Sequence, residues 1–178
     1  MKDLFDVVKQ RRSIRKYLPK PVQKEVILQV LATAGRAPSA HNSQPWRFII
    51  LQDDIVKRRL ADAMAEAWAK DLQRDGIKVE SDKRTERVER FATAPVLILA
   101  CLTMVDLRKF PDSERQMCER DLAVQSFGAA LQNLLLAAYA KGLGACWFCA
   151  PAFCKETVRK LLKIPDEVEP QARDTPDK

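Results

Sequence analysis

The chain has 178 residues, 47% of them hydrophobic, which suits one domain with a sizeable core and excludes a disordered or fibrous protein. Its longest apolar runs are shorter than the ~20 residues that a membrane span needs. The net charge is +7, and we expect a soluble, cytoplasmic protein.

The positive charge is concentrated near the N-terminus. Residues 1–90 carry 20 basic and 13 acidic residues, whereas residues 91–178 carry 11 of each. Within residues 1–24 the count is 8 basic to 2 acidic. Such a cluster indicates an anionic partner, because packed like charges repel one another unless a counter-charge or open solvent relieves them. Exposure to solvent alone is the alternative.

The first half of the chain predicts two helices, a polar loop and a strand. Leu4, Val7 and Val8 mark one face of a short helix that runs into the basic cluster. Helical spacing from Gln23 predicts a second helix that stops at Gly35. The polar loop at 37–45 then leads into a predicted strand at 46–51.

The rest of the chain continues the alternation of helices and strands. Predicted helices cover 55–72, 119–141 and 151–162, and predicted extended segments cover 95–102 and 145–148. We interpret the charged segment 74–90 as a mobile surface excursion or lid. Little structure is expected in the final twelve residues. The predicted organisation is a single domain over 1–172 and a short polar tail at 173–178.

The helix at 119–141 is apolar on nearly every side from Phe127 to Ala140. Such a helix is sandwiched, either between layers of one chain or across a dimer interface.

Common catalytic motifs are missing from the sequence. It has no glycine-rich phosphate loop, no nucleophile elbow, and only one histidine, His41. The spacing of Cys146 and Cys149 is that of a redox or metal pair, but no second pair accompanies it, so we predict no metal site and treat the thiols as buried small side chains. If the protein is an enzyme, a cofactor is expected to supply the chemistry.

Three segments could bind such a cofactor, and each has a simpler structural explanation. Arg11, Arg12, Ser13 and Arg15 can form a phosphate cradle, or the arginines can complement a helix C-terminus. The loop 38–45 offers amides to a heterocycle, or its polar side chains cap local backbone. The segment 142–151 lets backbone approach a flat ligand, or it is a glycine cap followed by a core strand.

In combination these segments resemble the flavin-dependent nitroreductase family. The resemblance rests on RRSIRKYLPKPV, APSAHNSQPWRFIIL, QNLLLAAYAKGLGACW and EPQA, in this order, and spans about residues 3–172. The stretch from Cys149 to Ala172 is most similar to the subgroup that contains the flavin domain of deazaflavin-coenzyme biosynthesis enzymes.

The resemblance implies an α+β fold, with a central, mainly antiparallel sheet wrapped by helices, in a homodimer with FMN at its interface. It implies that the FMN phosphate and ribityl chain are held by Arg11, Arg12, Ser13 and Arg15. It implies that the other subunit approaches the ring or ribityl chain through Pro38, Ser39, Ala40, Asn42 and Gln44. It places the backbone of Trp147, Phe148, Cys149 and Ala150 beside the flavin, and it assigns no side chain as catalytic acid or base.

The resemblance also implies a further strand, a Gly-Tyr-Pro turn and a basic tail after EPQA. Here six polar residues follow Ala172. We therefore expect an edge strand and a phosphate contact to be missing, and FMN retention to be weaker than is typical.

The expected activity is an FMN-dependent oxidoreductase that takes hydride from NADH or NADPH. By a ping-pong reaction it would reduce a nitroaromatic, quinone or similar conjugated small-molecule acceptor. A flavin reductase that acts on a deazaflavin-coenzyme precursor is the alternative enzyme. A flavin-binding protein that has lost turnover, or a basic nucleic-acid-binding module, would be a non-enzymatic alternative. We expect no nucleic-acid or membrane partner, because the basic cluster lacks interleaved aromatic residues and no helix-turn-helix or zinc pattern is present.

Overall fold

The computed structural model describes residues 3–174, and it describes their side chains up to Gln171. In chain order the elements are α1 (Leu4–Gln10), α2 (Lys24–Ala34), β1 (Trp46–Leu51), α3 (Asp54–Arg74), α4 (Ser81–Ala92), β2 (Leu97–Thr103), α5 (Ser113–Ala140), β3 (Trp147–Phe148), α6 (Lys155–Leu162) and β4 (Val168–Asp174). Short 3₁₀ turns cover Ala40–Asn42 and Ala150–Phe153.

The four strands form one sheet in the order β1-β2-β4-β3, and every neighbouring pair is antiparallel. Helices cover this sheet, so the predicted α+β class is confirmed.

The central strand β2 is buried along its whole length, as its continuous apolar sequence predicts. Alternate side chains point to opposite faces of a strand. Ile98, Ala100 and Leu102 therefore pack in one core with α2 and α5, whereas Leu97 and Leu99 pack in a second core with α3, α4 and α6. The sheet thus lies between two layers of helices.

The charged segment after α3 is a helix rather than a loose excursion. Val88, Phe91 and Ala92 are buried on one side of α4 and pack in the same core as α3. Their spacing is i, i+3 and i+4, which places them on one face of a helix. The prediction of a mobile excursion at 74–90 was wrong because the many charges lie on the solvent side of α4 and hid this short apolar stripe.

The expectation of little structure in the last twelve residues was also wrong. Val168–Asp174 forms β4, which lies inside the sheet between β2 and β3. The pairing with β2 shifts register between Ala100 and Cys101, and Cys101 faces Pro170, which has no N–H to donate. Backbone hydrogen bonds to β2 and β3 stabilise this strand, and its sequence lacks the alternating apolar pattern that would have predicted it. Residues 173 and 174, which were predicted to begin a polar tail at 173–178, belong to β4 instead. Residues 175–178 lie outside the described residues.

The long helix α5 begins at Ser113, six residues before the predicted start, and Asp112 caps it through a hydrogen bond from the Arg115 N–H. By length and composition alone α5 would be able to cross a membrane. However, 44% of its apolar stretch is buried inside the fold, where it shares a core with α2 and β2. That is the position of a core helix in a folded protein.

Candidate functional site

The basic cluster begins where α1 ends. Arg12 Nη1 donates hydrogen bonds to the carbonyl oxygens of Lys9 (2.8 Å) and Arg11 (2.9 Å), so Arg12 caps the C-terminus of α1. Arg11 is different. Its Nη1 atom is buried and has no hydrogen-bond partner among the described residues. Because buried polar groups are nearly always paired, this atom points to a missing acceptor.

The next residues of the cluster lie against the glycine-containing segment that follows α5. Ile14 N donates to the carbonyl oxygen of Ala145 (3.0 Å), and Ser13 forms a parallel bridge with Ala145. A Cβ atom added at Gly144 would lie 3.0 Å from three side-chain atoms of Ile14. A side chain at this position would therefore crowd Ile14, which would have to shift. The structure therefore brings together the first and third of the segments that the sequence singled out.

Arg15 is exposed. It lines a cavity of about 370 Å³ together with Lys16, Glu86 and Arg90, and Arg11 is not part of the lining of this cavity.

The loop 38–44 is closed by its own serines. Ser39 Oγ accepts a hydrogen bond from Gln44 N (3.0 Å), and Ser43 Oγ donates to the Ala40 carbonyl oxygen (2.7 Å). Pro38, Asn42 and Gln44 are exposed, and the amides of Asn42 and Gln44 are within 3.5 Å of each other. The two serines thus bind backbone groups of the loop itself, while the amides of Asn42 and Gln44 lie at the surface, where a ligand could reach them.

Three non-glycine residues of this loop have left-handed backbone angles. The φ angles are 55° at His41, 54° at Asn42 and 45° at Gln44. Residues in this region cost of order 1–3 kcal/mol each, and the surrounding structure must hold them there. Such strain clusters at functional sites, which is consistent with a binding role for this loop.

Two side chains of α5 hold the loop in this conformation, and sequence analysis singled out neither. Ser126 Oγ accepts a hydrogen bond from Ala40 N (3.1 Å) and donates to the Leu122 carbonyl oxygen (2.7 Å). Glu119 is 3% exposed, and its Oε1 lies 3.5 Å from His41 Nε2. The available signal was their spacing of seven residues, which places both polar side chains on the inward side of α5 together with the buried Ala123 and Ala130.

The segment from Trp147 to Ala150 lies at the end of the sheet. Trp147 is 38% exposed, whereas the ring of Phe148 packs edge-on against Phe91, with 5.0 Å between centroids. Cys149 is exposed, and Cys146 is buried. Phe148 therefore serves the core through its side chain, and only its backbone remains for a ligand.

The loop 38–44 and the basic cluster are held at different levels of α5. The loop is attached at Ser126, whereas Tyr139 Oη donates to Gln10 Oε1 (3.2 Å) at the end of α1. These attachment points are 13 residues apart, about 20 Å along a helix. The basic cluster is hydrogen-bonded to the segment near Ala145, whereas the loop is attached to α5 at the other of these two levels.

The side chains of Arg11, Asn42 and Gln44 have the chemistry that would bind a flavin mononucleotide. A phosphate oxygen is an acceptor that a buried guanidinium N–H would bind strongly. The amides of Asn42 and Gln44 can each donate and accept, as the edge of the flavin ring requires.

The chain is similar to proteins of one known family. The model of the nitroreductase family matches residues 8–172. A Bacillus subtilis protein named as a candidate NAD(P)H nitroreductase, YfhC, is 33% identical over 92% of this chain and 77% of its own length. The iodotyrosine deiodinase of Thermotoga neapolitana is 30% identical over 94% of this chain and 84% of its own length.

Solved structures share the fold. A candidate nitroreductase from Desulfovibrio desulfuricans, solved in complex with FMN, superposes with a TM-score of 0.73 at 25% identity. The match covers 99% of this chain and 86% of the other. The chain described here therefore belongs to the nitroreductase family.

Proposed function

We propose that the protein is an FMN-dependent oxidoreductase that takes hydride from NADH or NADPH and reduces a conjugated small-molecule acceptor, such as a nitroaromatic or a quinone. Bound FMN would supply the two-electron chemistry. The observation that carries the proposal is the buried Nη1 atom of Arg11, which has no hydrogen-bond partner among the described residues and belongs to a basic cluster that packs against the segment at Gly144 and Ala145. The nitroreductase membership and the FMN complex of a relative support it.

The basic cluster would bind the phosphate end of the cofactor. Arg11 offers the unsatisfied donor, and Ser13 and Arg15 add a hydroxyl group and a second guanidinium. Arg12 has a smaller role, because its Nη1 atom is already committed to backbone carbonyls. The closeness of Ile14 to Gly144 would fix the cradle relative to the backbone around Trp147.

The loop 38–44 would meet the flavin of a second copy of this chain. Its attachment to α5 supports this arrangement, because the loop and the basic cluster are attached 13 residues apart along that helix. Exposed apolar side chains on α1 and α5 also support a homodimer, since Phe5 is 79% exposed, Leu4 is 65% exposed and Val124 is 45% exposed. The protein would then form two equivalent sites, each completed by its partner.

The chain's own residues would position the reactants and stabilise charge, and none is needed as an acid or base. Backbone N–H groups near Trp147 and the amides of the loop would stabilise negative charge on the reduced cofactor. Holding donor and acceptor in contact would supply much of the remaining rate enhancement.

The test is FMN binding by a charge-matched pair of double variants. Flavin fluorescence is titrated with apoprotein for the wild type, for Arg11→Ala/Arg15→Ala and for Lys20→Ala/Lys24→Ala, with circular dichroism as the check on folding. Charge-assisted hydrogen bonds contribute about 1.5–3 kcal/mol each, so the arginine variant should bind FMN at least about a hundredfold more weakly. The lysine variant loses the same charge and should bind almost normally.

Equal losses in the two double variants would mean that general charge, rather than a cradle, attracts the cofactor. A wild-type protein that binds no FMN would refute the proposed function. For a protein that does bind it, bleaching of the visible flavin band by NADH or NADPH under nitrogen tests the redox half-reaction, and size-exclusion chromatography with light scattering tests the dimer.

A further inference from the structure

A small, largely apolar pocket lies between α3, α4 and the 3₁₀ turn after Cys149. Its volume is about 200 Å³, and its walls include Trp68 from α3, Arg87 from α4, and Ala150 and Phe153 from the turn. Phe153 is 81% exposed and stands at the rim. None of the residues expected to bind FMN lines this pocket except Ala150.

Arg87 is the only arginine of α4 without an ion pair to a carboxylate of residues 3–171. Arg84 and Arg90 each pair with a glutamate, at 3.1 Å and 2.9 Å. The guanidinium of Arg87 instead lies over the ring of Trp68, 4.5 Å from its centroid. It is half-buried, and this burial lowers its pKa. A half-buried cation with no counter-ion attracts an anionic or electron-rich group.

The one carboxylate in the pocket wall does not take this role. Asp71 lines the pocket, but its Oδ1 atom pairs with Arg74 at 3.2 Å. Its charge is therefore partly compensated, and Arg87 is the charged group of the pocket wall that forms no ion pair with a carboxylate of residues 3–171.

The volume limits the ligand to one ring. An apolar cavity of about 150 Å³ is enough for benzene, so 200 Å³ accommodates a single ring with small substituents. Three fused rings exceed this volume and would extend out of the open side of the pocket. The pocket therefore favours single-ring acceptors over a deazaflavin precursor, which is tricyclic.

We propose that this pocket binds the electron acceptor, and that the acceptor is a single aromatic or quinonoid ring that carries an anionic substituent. The ring would lie against Trp68 with its anionic group at Arg87. Ala150 belongs both to this pocket and to the segment expected beside the flavin, so a ring held here lies next to the proposed cofactor. The inference rests on the proposed function and names the substrate class of the same site.

The reaction for such an acceptor balances with the proposed donor. A nitro group takes one hydride from NAD(P)H and one proton from solvent; one N–O bond breaks, the oxygen leaves as water, and a nitroso compound and NAD(P)⁺ are formed. The net equation consumes one NAD(P)H and one proton per nitro group. A quinone takes the same hydride and one proton and becomes a hydroquinone.

Direct binding tests the pocket without turnover. Isothermal titration calorimetry of the apoprotein compares 4-nitrobenzoate with 4-nitrobenzamide, which has the same ring and shape but no charge. A third ligand, anthraquinone-2-sulfonate, is anionic but has three rings. We expect 4-nitrobenzoate to bind about tenfold or more tightly than the amide, as a charge-assisted contact implies, and anthraquinone-2-sulfonate to bind more weakly than 4-nitrobenzoate.

The variants are Arg87→Gln and, as matched control, Arg84→Gln on the same helix. Arg87→Gln should remove the preference for the anion, whereas Arg84→Gln should keep it. Equal affinity of the wild type for 4-nitrobenzoate and 4-nitrobenzamide would overturn the inference, and so would an unchanged preference in a folded Arg87→Gln protein. Tight binding of anthraquinone-2-sulfonate that depends on Arg87 would overturn the size limit.

FMN titration of the same proteins separates this inference from the proposed function. Arg87→Gln should bind FMN as the wild type does, because Arg87 lies outside the basic cluster. A protein that binds FMN but shows no preference for the anion refutes the pocket alone. A wild type that shows the preference but binds no FMN refutes the proposed function and leaves an aromatic-anion site.

Discussion

Replacing Ser126 by alanine should weaken FMN binding although Ser126 lies in a core helix. Ser126 is 7% exposed, and its Oγ is the acceptor for Ala40 N at 3.1 Å. Without it, a partly buried N–H loses its partner, which costs about 1–3 kcal/mol. The loop that begins there contains three left-handed residues and depends on such contacts to keep its shape.

The magnitude follows from the lost hydrogen bond. If the whole cost falls on the binding-competent loop, the dissociation constant of FMN rises about 5- to 150-fold, at 1.4 kcal/mol for each factor of ten. The effect on global stability should be smaller, because alanine is a better helix former than serine by up to about 0.7 kcal/mol. Binding should therefore change more than the unfolding midpoint does.

The assay is a fluorescence titration of FMN together with urea unfolding of the apoprotein. The matched control is Thr33→Ala, which removes a similar hydroxyl bonded to the carbonyl oxygen four residues earlier, in α2 (2.9 Å). FMN affinity equal to that of the wild type in Ser126→Ala would refute the reasoning that α5 shapes the loop. An equal loss in both variants would show that the effect comes from helix stability.

Two further predictions concern the glycine at the cradle and the ionic network on β4. Gly144→Ala should reduce FMN affinity, because the new Cβ atom would crowd Ile14 and displace the basic cluster. The control is Gly35→Ala, whose Cβ atom would have its nearest contacts at 3.6 Å and should leave FMN affinity unchanged. Fluorescence titration with FMN compares the two variants. Burial acts to raise the pKa of Glu169, but hydrogen bonds from Arg120 and Lys155 outweigh it and hold the pKa below its ordinary value of 4.5. The ionised Glu169 carboxylate therefore adds to the free energy of unfolding; its contribution is complete above pH 4.5 and is lost as the pH falls through the lowered pKa. The advantage of the wild type over Glu169→Gln in urea unfolding should then shrink in acid. An advantage that grows in acid would contradict this reasoning.

The sequence predicted most of the helices and strands whose formation depends on interactions between neighbouring residues. The strand β1 falls at Trp46–Leu51 as the pattern predicts, and α2 ends at Gly35. The strand β2 has a continuous apolar sequence because both of its faces are covered. Helix spacing, caps and apolar runs depend on neighbours within one or two turns, and the amino-acid order records these directly.

Two elements were missed because their stabilisation comes from elsewhere in the chain. The helix α4 is held by a narrow stripe that includes Val88 and Phe91, and a high density of charge conceals it. The strand β4 has a polar sequence, and its place between β2 and β3 follows from backbone hydrogen bonds to both. Neither contact is visible in a local window.

For the candidate site, the sequence determined which groups are available and the tertiary structure decided how each one is used. The motifs supplied guanidinium groups, amides and close-packing glycines, and their order sufficed to predict the nitroreductase fold. The folded chain distinguishes Arg12, which caps a helix, from Arg11, whose buried Nη1 atom finds no hydrogen-bond partner in the part of the chain that the structure describes. It also brought Ser126 to Ala40 across 86 residues of chain and set Arg87 over Trp68. Such pairings depend on distances between segments remote in sequence, and therefore only the folded chain can fix them.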